Sequence, residues 1–73
     1  MPLKVLSHRE VTRKLKKAGF KEVSQKGSHI KFAKEIEAGI RTAIVPRHKE
    51  VALGTLKCIL RQAGLSEKEF EEL

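Results

Sequence analysis

The residues of this chain that could do chemistry are His8, His29, His48, Cys58 and a dense set of cations, sixteen Lys and Arg against nine Glu. His29 carries the most interest. It follows Gly27-Ser28 and opens an alternating run in which Ile30 and Phe32 share one side while His29 and Lys31 share the other. An exposed imidazole exchanges protons near neutral pH, because its unperturbed pKa is about 6.5. Lys31, on the same side, and Lys26, just before the turn, are cations that would hold a phosphate and stabilise charge growing on it in a transition state. The plainer alternative is a solvated histidine with no task. His48, in Pro46-Arg47-His48-Lys49, offers a phosphate contact, a second acid/base group, or only a solvated loop side chain. His8 falls in the first turn of a helix, where positive charge is mildly unfavourable, and no role is assigned to it.

Much other chemistry is pruned by what is missing. The chain has no Asp and no Asn. A paired-carboxylate glycosidase would have to use Glu alone, a Ser-His-Asp triad would need Glu in its third place, and the Asp-rich cluster usual in Mg²⁺-dependent nucleases is absent. The three histidines include no pair at helical ligand spacing, so neither a metal nor another cofactor is expected. A single cysteine forbids an intramolecular disulfide and a thiolate-rich zinc site, and suits a reducing cytosol. Lys57 and Arg61 would lower the pKa of the Cys58 thiol, but without a neighbouring base it reads as a spectator.

The elements that must position these residues can be read in order. Ser7-His8-Arg9-Glu10 has the form of a capping box, with Leu6 and Val11 at staple spacing, and Gly19 stops the helix it starts. Val11, Leu15 and Ala18 fall within about 60° of one another, and Arg9, Arg13 and Lys16 fall together on the opposite side. Phe20–Lys26, Ser28–Lys34 and Ile40–Val45 read as three strands, with a turn over Glu35–Gly39 and Pro46 ending the third. The short turns favour an antiparallel meander. A second helix runs from Leu53 to Ala63, stopped by Gly64. Its apolar arc is Leu53, Leu56, Ile59, Leu60 and Ala63, and Lys57, Cys58 and Arg61 face outward. Gly54 bares the backbone at its start, which suits an anion or a partner near free N–H groups, or simply the start of a helix. Ser66-Glu67-Lys68-Glu69 repeats the capping-box form, with Leu65 and Phe70 as its staple, and opens a short last helix.

The expectation is one α+β domain over residues 1–73, in the order α-β-β-β-α plus a short α. Both main helices should cover one face of a three-stranded antiparallel sheet. The other face, with His29, is left to solvent or a ligand. A chain of 73 residues has a small core and marginal stability. Its 40% hydrophobic and 34% charged residues fit a soluble globular protein. The opening residues have no apolar run of signal-peptide length and no stretch approaches a membrane span, so export and membrane insertion are not expected. A net charge of +7 calls for an anionic partner, nucleic acid by default, unless the charge serves only solubility or thermal stability. Three Phe with no Trp or Tyr argue against an aromatic platform for stacking several bases.

Five segments resemble one family: Ser7 to Val11, Lys14 to Phe20, Lys26-Gly27-Ser28-His29-Ile30-Lys31-Phe32, Ile44 to His48, and Gly54 to Phe70. They are similar to the HicA family, small mRNA-interferase toxins of bacterial and archaeal toxin–antitoxin pairs. The resemblance covers about Leu6 to Leu73. It implies a fold like that of the double-stranded-RNA-binding domain, metal-independent RNA cleavage, and His29 as the catalytic histidine; the lone cysteine and the opening residues point to the cytoplasm. It also implies a HicB-like antitoxin covering the active face. On this reading His29 is general base on a ribose 2′-OH or general acid on the leaving 5′-oxygen. Lys26, Ser28 and Lys31 lie beside it. Arg9, Arg13, Lys16, Arg47, His48, Lys57 and Arg61 hold RNA phosphates. The protein alone is expected to be a monomer or weak dimer. A non-catalytic nucleic-acid-binding module of the same fold is the alternative. Lys34–Gly39 lacks the Asp-Gly or Asn-Gly pair common at this family's hairpin.

Overall fold

The computed structural model describes residues 4–73; the first three residues of the stretch read for a leader lie outside it. The elements follow the expected order: α1 (His8–Lys17), β1 (Lys21–Lys26), β2 (His29–Ile36), β3 (Gly39–Pro46), α2 (Leu53–Ala63) and α3 (Glu67–Glu71). The strands form one antiparallel sheet in the order β1-β2-β3. The fold is therefore α+β, a meander with its helices on one side.

One apolar cluster explains that layering. Ile30 and Phe32 of β2 and Ala43 and Val45 of β3 are buried, and they meet Val11 and Leu15 of α1, Leu56, Ile59, Leu60 and Ala63 of α2, and Phe70 of α3. The period of 3.6 on the helices and of 2 on the strands turns each apolar set inward, and burial of this shared surface holds the layers together. Leu53 departs from expectation. It heads α2 and stays 41% exposed, outside the cluster that its arc pointed to.

The helix ends follow their local chemistry. Phe20 N–H donates to Leu15 O and Leu65 N–H to Leu60 O, both at 3.0 Å, each closing a helix with its own apolar contact in the core. At Ser66 the capping box is complete: Ser66 Oγ accepts from Glu69 N–H at 3.0 Å and Ser66 N–H donates to Glu69 Oε1 at 2.9 Å. At Ser7 only half of it forms. Ser7 Oγ accepts from Glu10 N–H at 3.3 Å, but the Glu10 carboxylate turns to Arg13 Nη2 at 2.8 Å. A charged partner one turn away outcompetes a neutral backbone N–H. Lys14 ties α3 to α1, its Nζ donating to Phe70 O at 3.1 Å and Leu73 O at 3.3 Å while lying over the Phe70 ring.

The second hairpin is tighter than the sequence suggested. Ile36 pairs with Gly39, so only Glu37 and Ala38 turn. Neither has positive φ; Gly39 carries it, at φ 134°, one position after the turn. This replaces the Asp-Gly or Asn-Gly solution, in which the turn residues themselves go left-handed. Pro46 belongs to β3 as its last residue, opposite His29, rather than standing beyond the strand.

The two sheet edges differ. Along β3, α2 covers the edge: Ile44 N–H donates to Gln62 Oε1 at 2.9 Å and Arg41 Nη1 to Gln62 O at 3.1 Å. Along β1 all six residues are exposed.

Candidate nucleic-acid interface

His29 is exposed and begins β2, on the sheet face away from the helices, since its neighbour Ile30 is buried and the pattern alternates. Cross-strand register places Lys26 directly opposite it on β1 and Pro46 directly opposite on β3. Two residues along the same face, Lys31 sits between Ser24 and the half-exposed Ile44. The structure thus brings His29, Lys26 and Lys31 together on an open, cationic surface.

The turn that delivers His29 is two residues long. Gly27 adopts φ 59° and Ser28 a negative φ, the pattern of a type II′ turn, where the first position calls for glycine. Ser28 O accepts the Arg47 N–H at 2.6 Å, so the turn is tied to the chain leaving β3. The next residue is tied as well. His48 O accepts both the His8 N–H at 3.1 Å and a proton from His8 Nδ1 at 3.2 Å. His8, given no role from sequence, therefore fastens the basic loop to the start of α1. His48 serves through its carbonyl.

A bulge in β1 decides which residues share a face. Glu22 pairs with Phe32, Ser24 with Lys31 and Gln25 with Ile30, so Val23 is the extra residue. Strict alternation from the buried Phe20 would put Ser24 and Lys26 on the helix side. The two-residue turn holds Lys26 on the His29 face and Gln25 on the Ile30 side, and the inserted residue reverses the parity so that Glu22 faces inward with Gln25.

Glu22 and Gln25 consequently face α1 across an open groove of about 500 Å³. Arg9, Arg13 and Lys16 line its α1 side, Arg47 and His8 its end, and Ile30 and Thr12 its floor. The groove is cationic. Arg13 is partly offset by Glu10, whose carboxyl is held below its ordinary value by the hydrogen bond and charge of that guanidinium. The Thr12 hydroxyl oxygen is buried with no hydrogen-bond partner among the described residues.

The expected phosphate contacts thus divide into separate sets. Lys26, Ser28 and Lys31 accompany His29, whereas Arg9, Arg13, Lys16 and Arg47 line the groove beyond the β1 edge. Lys57 and Arg61 lie exposed on α2, outside the groove, with Cys58 exposed between them. Glu22, Gln25, Thr12 and His8 were missed as groove residues. Only the pairing register, with its bulge, would have found Glu22 and Gln25. Among the described residues no group of three or more His, Cys or Glu gathers in a way that could hold a metal ion, and no helix is long and apolar enough to cross a membrane.

These features define a small basic α-β-β-β-α protein with one open sheet face and a cationic groove beside it. The family model described as the HicA toxin of bacterial toxin–antitoxin systems matches residues 8–65. The chain belongs to the HicA toxin family. No curated protein matches it significantly.

Proposed function

We propose that this chain is the toxin nuclease of its pair, a metal-independent endoribonuclease that cuts mRNA in the cytoplasm. The observation that carries the reading is the exposed His29 with Lys26 opposite it and Lys31 on the same face. RNA holds its own nucleophile, a 2′-OH adjacent to the scissile phosphorus, so positioning and proton transfer suffice. His29 takes the 2′-OH proton, or donates one to the departing 5′-oxygen. The 2′-oxygen bonds to phosphorus as the P–O5′ bond breaks, leaving a 2′,3′-cyclic phosphate and a 5′-OH. Lys26 and Lys31 stabilise the charge on the non-bridging oxygens. A HicB-like antitoxin inhibits by covering the same face, where the half-exposed Ile44 and the more exposed Ile40 offer it apolar contacts.

The test is to incubate the purified protein with a defined RNA and map the product ends. Cyclic-phosphate and 5′-OH ends support the reading. Tight, salt-sensitive RNA binding without products would leave a binding module in its place.

A further inference from the structure

The groove between α1 and the open β1 edge has no part in the proton transfers at His29, yet its walls are chemically asymmetric. One wall carries Arg9, Arg13 and Lys16. The other carries Glu22 and Gln25, which have their own hydrogen-bonding limits. The Glu22 carboxylate forms no salt bridge or hydrogen bond among the described residues, and an ionised carboxylate only accepts. Gln25 Nε2 donates to Gly27 O at 3.4 Å, which leaves its Oε1 as an acceptor without a partner. A cationic wall facing a wall of acceptors suits a ligand that is anionic on one side and rich in donors on the other.

We propose that this groove is a second RNA subsite, seating one unpaired nucleotide beside the cleaved one and preferring guanine. The phosphate lies against Arg9 and Lys16, and the base edge meets Glu22 and Gln25. Guanine alone among the four bases presents two adjacent donors, N1–H and N2–H, on its Watson–Crick edge. Adenine and cytosine place an acceptor next to their single amino group, and uracil offers one donor between two acceptors. A volume of about 500 Å³ accommodates a nucleotide. The route to His29 is short. Arg47, at the end of the groove, is bonded through its N–H to Ser28 O, in the residue preceding His29. Because β1 is the uncovered edge, a single strand wraps around it, one nucleotide in the groove and the next over the open face.

The subsite rests on the nuclease reading for its ligand class but is tested without cleavage. His29→Ala protein is titrated by fluorescence anisotropy with labelled oligouridine hexamers, either all uridine or carrying one guanosine or one adenosine. The guanosine hexamer should bind about tenfold more tightly than the other two, as a paired base contact discriminates. Adding Glu22→Gln should erase that preference. Adding Arg9→Glu with Lys16→Glu should weaken all three hexamers by about tenfold or more through lost phosphate contacts. Lys17→Glu with Lys68→Glu makes the same charge change outside the groove and should cost about threefold or less, the residual long-range effect. Equal affinity for the three hexamers, or a guanosine preference that survives Glu22→Gln, overturns the base reading. Equal losses from the two double variants overturn the groove. If wild-type protein produces no cleavage ends, the nuclease reading fails while these affinities remain measurable.

Discussion

Lys26 stands directly across the β1–β2 ladder from His29 because a two-residue turn joins the strands that carry them. A cation and an imidazole share the open face as a consequence. In the proposed reaction Lys26 stabilises charge that grows on phosphorus oxygens, so Lys26→Ala should lower kcat by about 10²-fold, the scale of losing one preorganised donor. Lys68→Ala, on α3, is the control and should stay within about twofold, as a remote surface charge does. Single-turnover cleavage of one RNA measures both. Equal rates for the two variants would remove Lys26 from the transition state.

Gly27 holds the turn that aims His29. Its φ of 59° lies where a side chain is strained, and a Cβ there would meet nothing within 4 Å, so backbone conformation is the whole cost. Gly27→Ala should lose about 1–2 kcal/mol and Gly27→Asn less, since Asn tolerates this region. Urea unfolding monitored by circular dichroism checks the ranking. A larger loss for Asn than for Ala would place the strain elsewhere.

The contrast between Gly27 and Glu22 shows how far the sequence reads on its own. Gly27-Ser28 between two alternating runs is a local signal, and it led to the right hairpin. Ser7 and Ser66 marked helix starts for the same reason, since a cap acts within one turn of chain. The side on which Glu22 emerges is not local. It depends on a bulge that appears only when β1 is laid against β2, and with it depends the groove that Glu22 shares with Gln25. Leu53 tells the same story for a helix: its angle was right, but the buried cluster does not reach it. The Glu10 carboxylate fitted two partners by spacing, and charge chose Arg13.

Thr12 offers a test of packing. Its Oγ1 is buried and unpartnered among the described residues. Thr12→Val keeps the shape and the β-branch while removing the unsatisfied hydroxyl, so it should raise stability by about 1 kcal/mol. A lower urea midpoint would mean that the hydroxyl makes a bond in solution.

Acid should loosen the C-terminal helix. Glu69 is held below its ordinary value of 4.5 by hydrogen bonds from Ser66, first from its backbone N–H and then from its side chain. The folded protein therefore binds this proton less readily than the unfolded chain. The stabilisation is complete above the ordinary glutamate pKa and is lost as pH falls through the lowered one. Glu10, held down by Arg13, acts in the same direction. Unfolding midpoints measured between pH 7 and pH 2.5 should fall on the acid side, and less steeply for Glu69→Gln. Separately, Ser66→Ala should cost about 1 kcal/mol at neutral pH through the lost cap. An unchanged acid slope in Glu69→Gln would show that the capping box does not set it.

The most direct test compares wild type with His29→Ala on one RNA, in excess EDTA, with the fold of both checked by circular dichroism. Wild type should cut at the same rate with or without the chelator and leave 2′,3′-cyclic phosphate ends. His29→Ala should stay folded, bind the RNA with near wild-type affinity and lose about 10²–10⁴-fold in rate, the scale of one acid/base group. A folded His29→Ala protein that cuts at the wild-type rate would contradict the account.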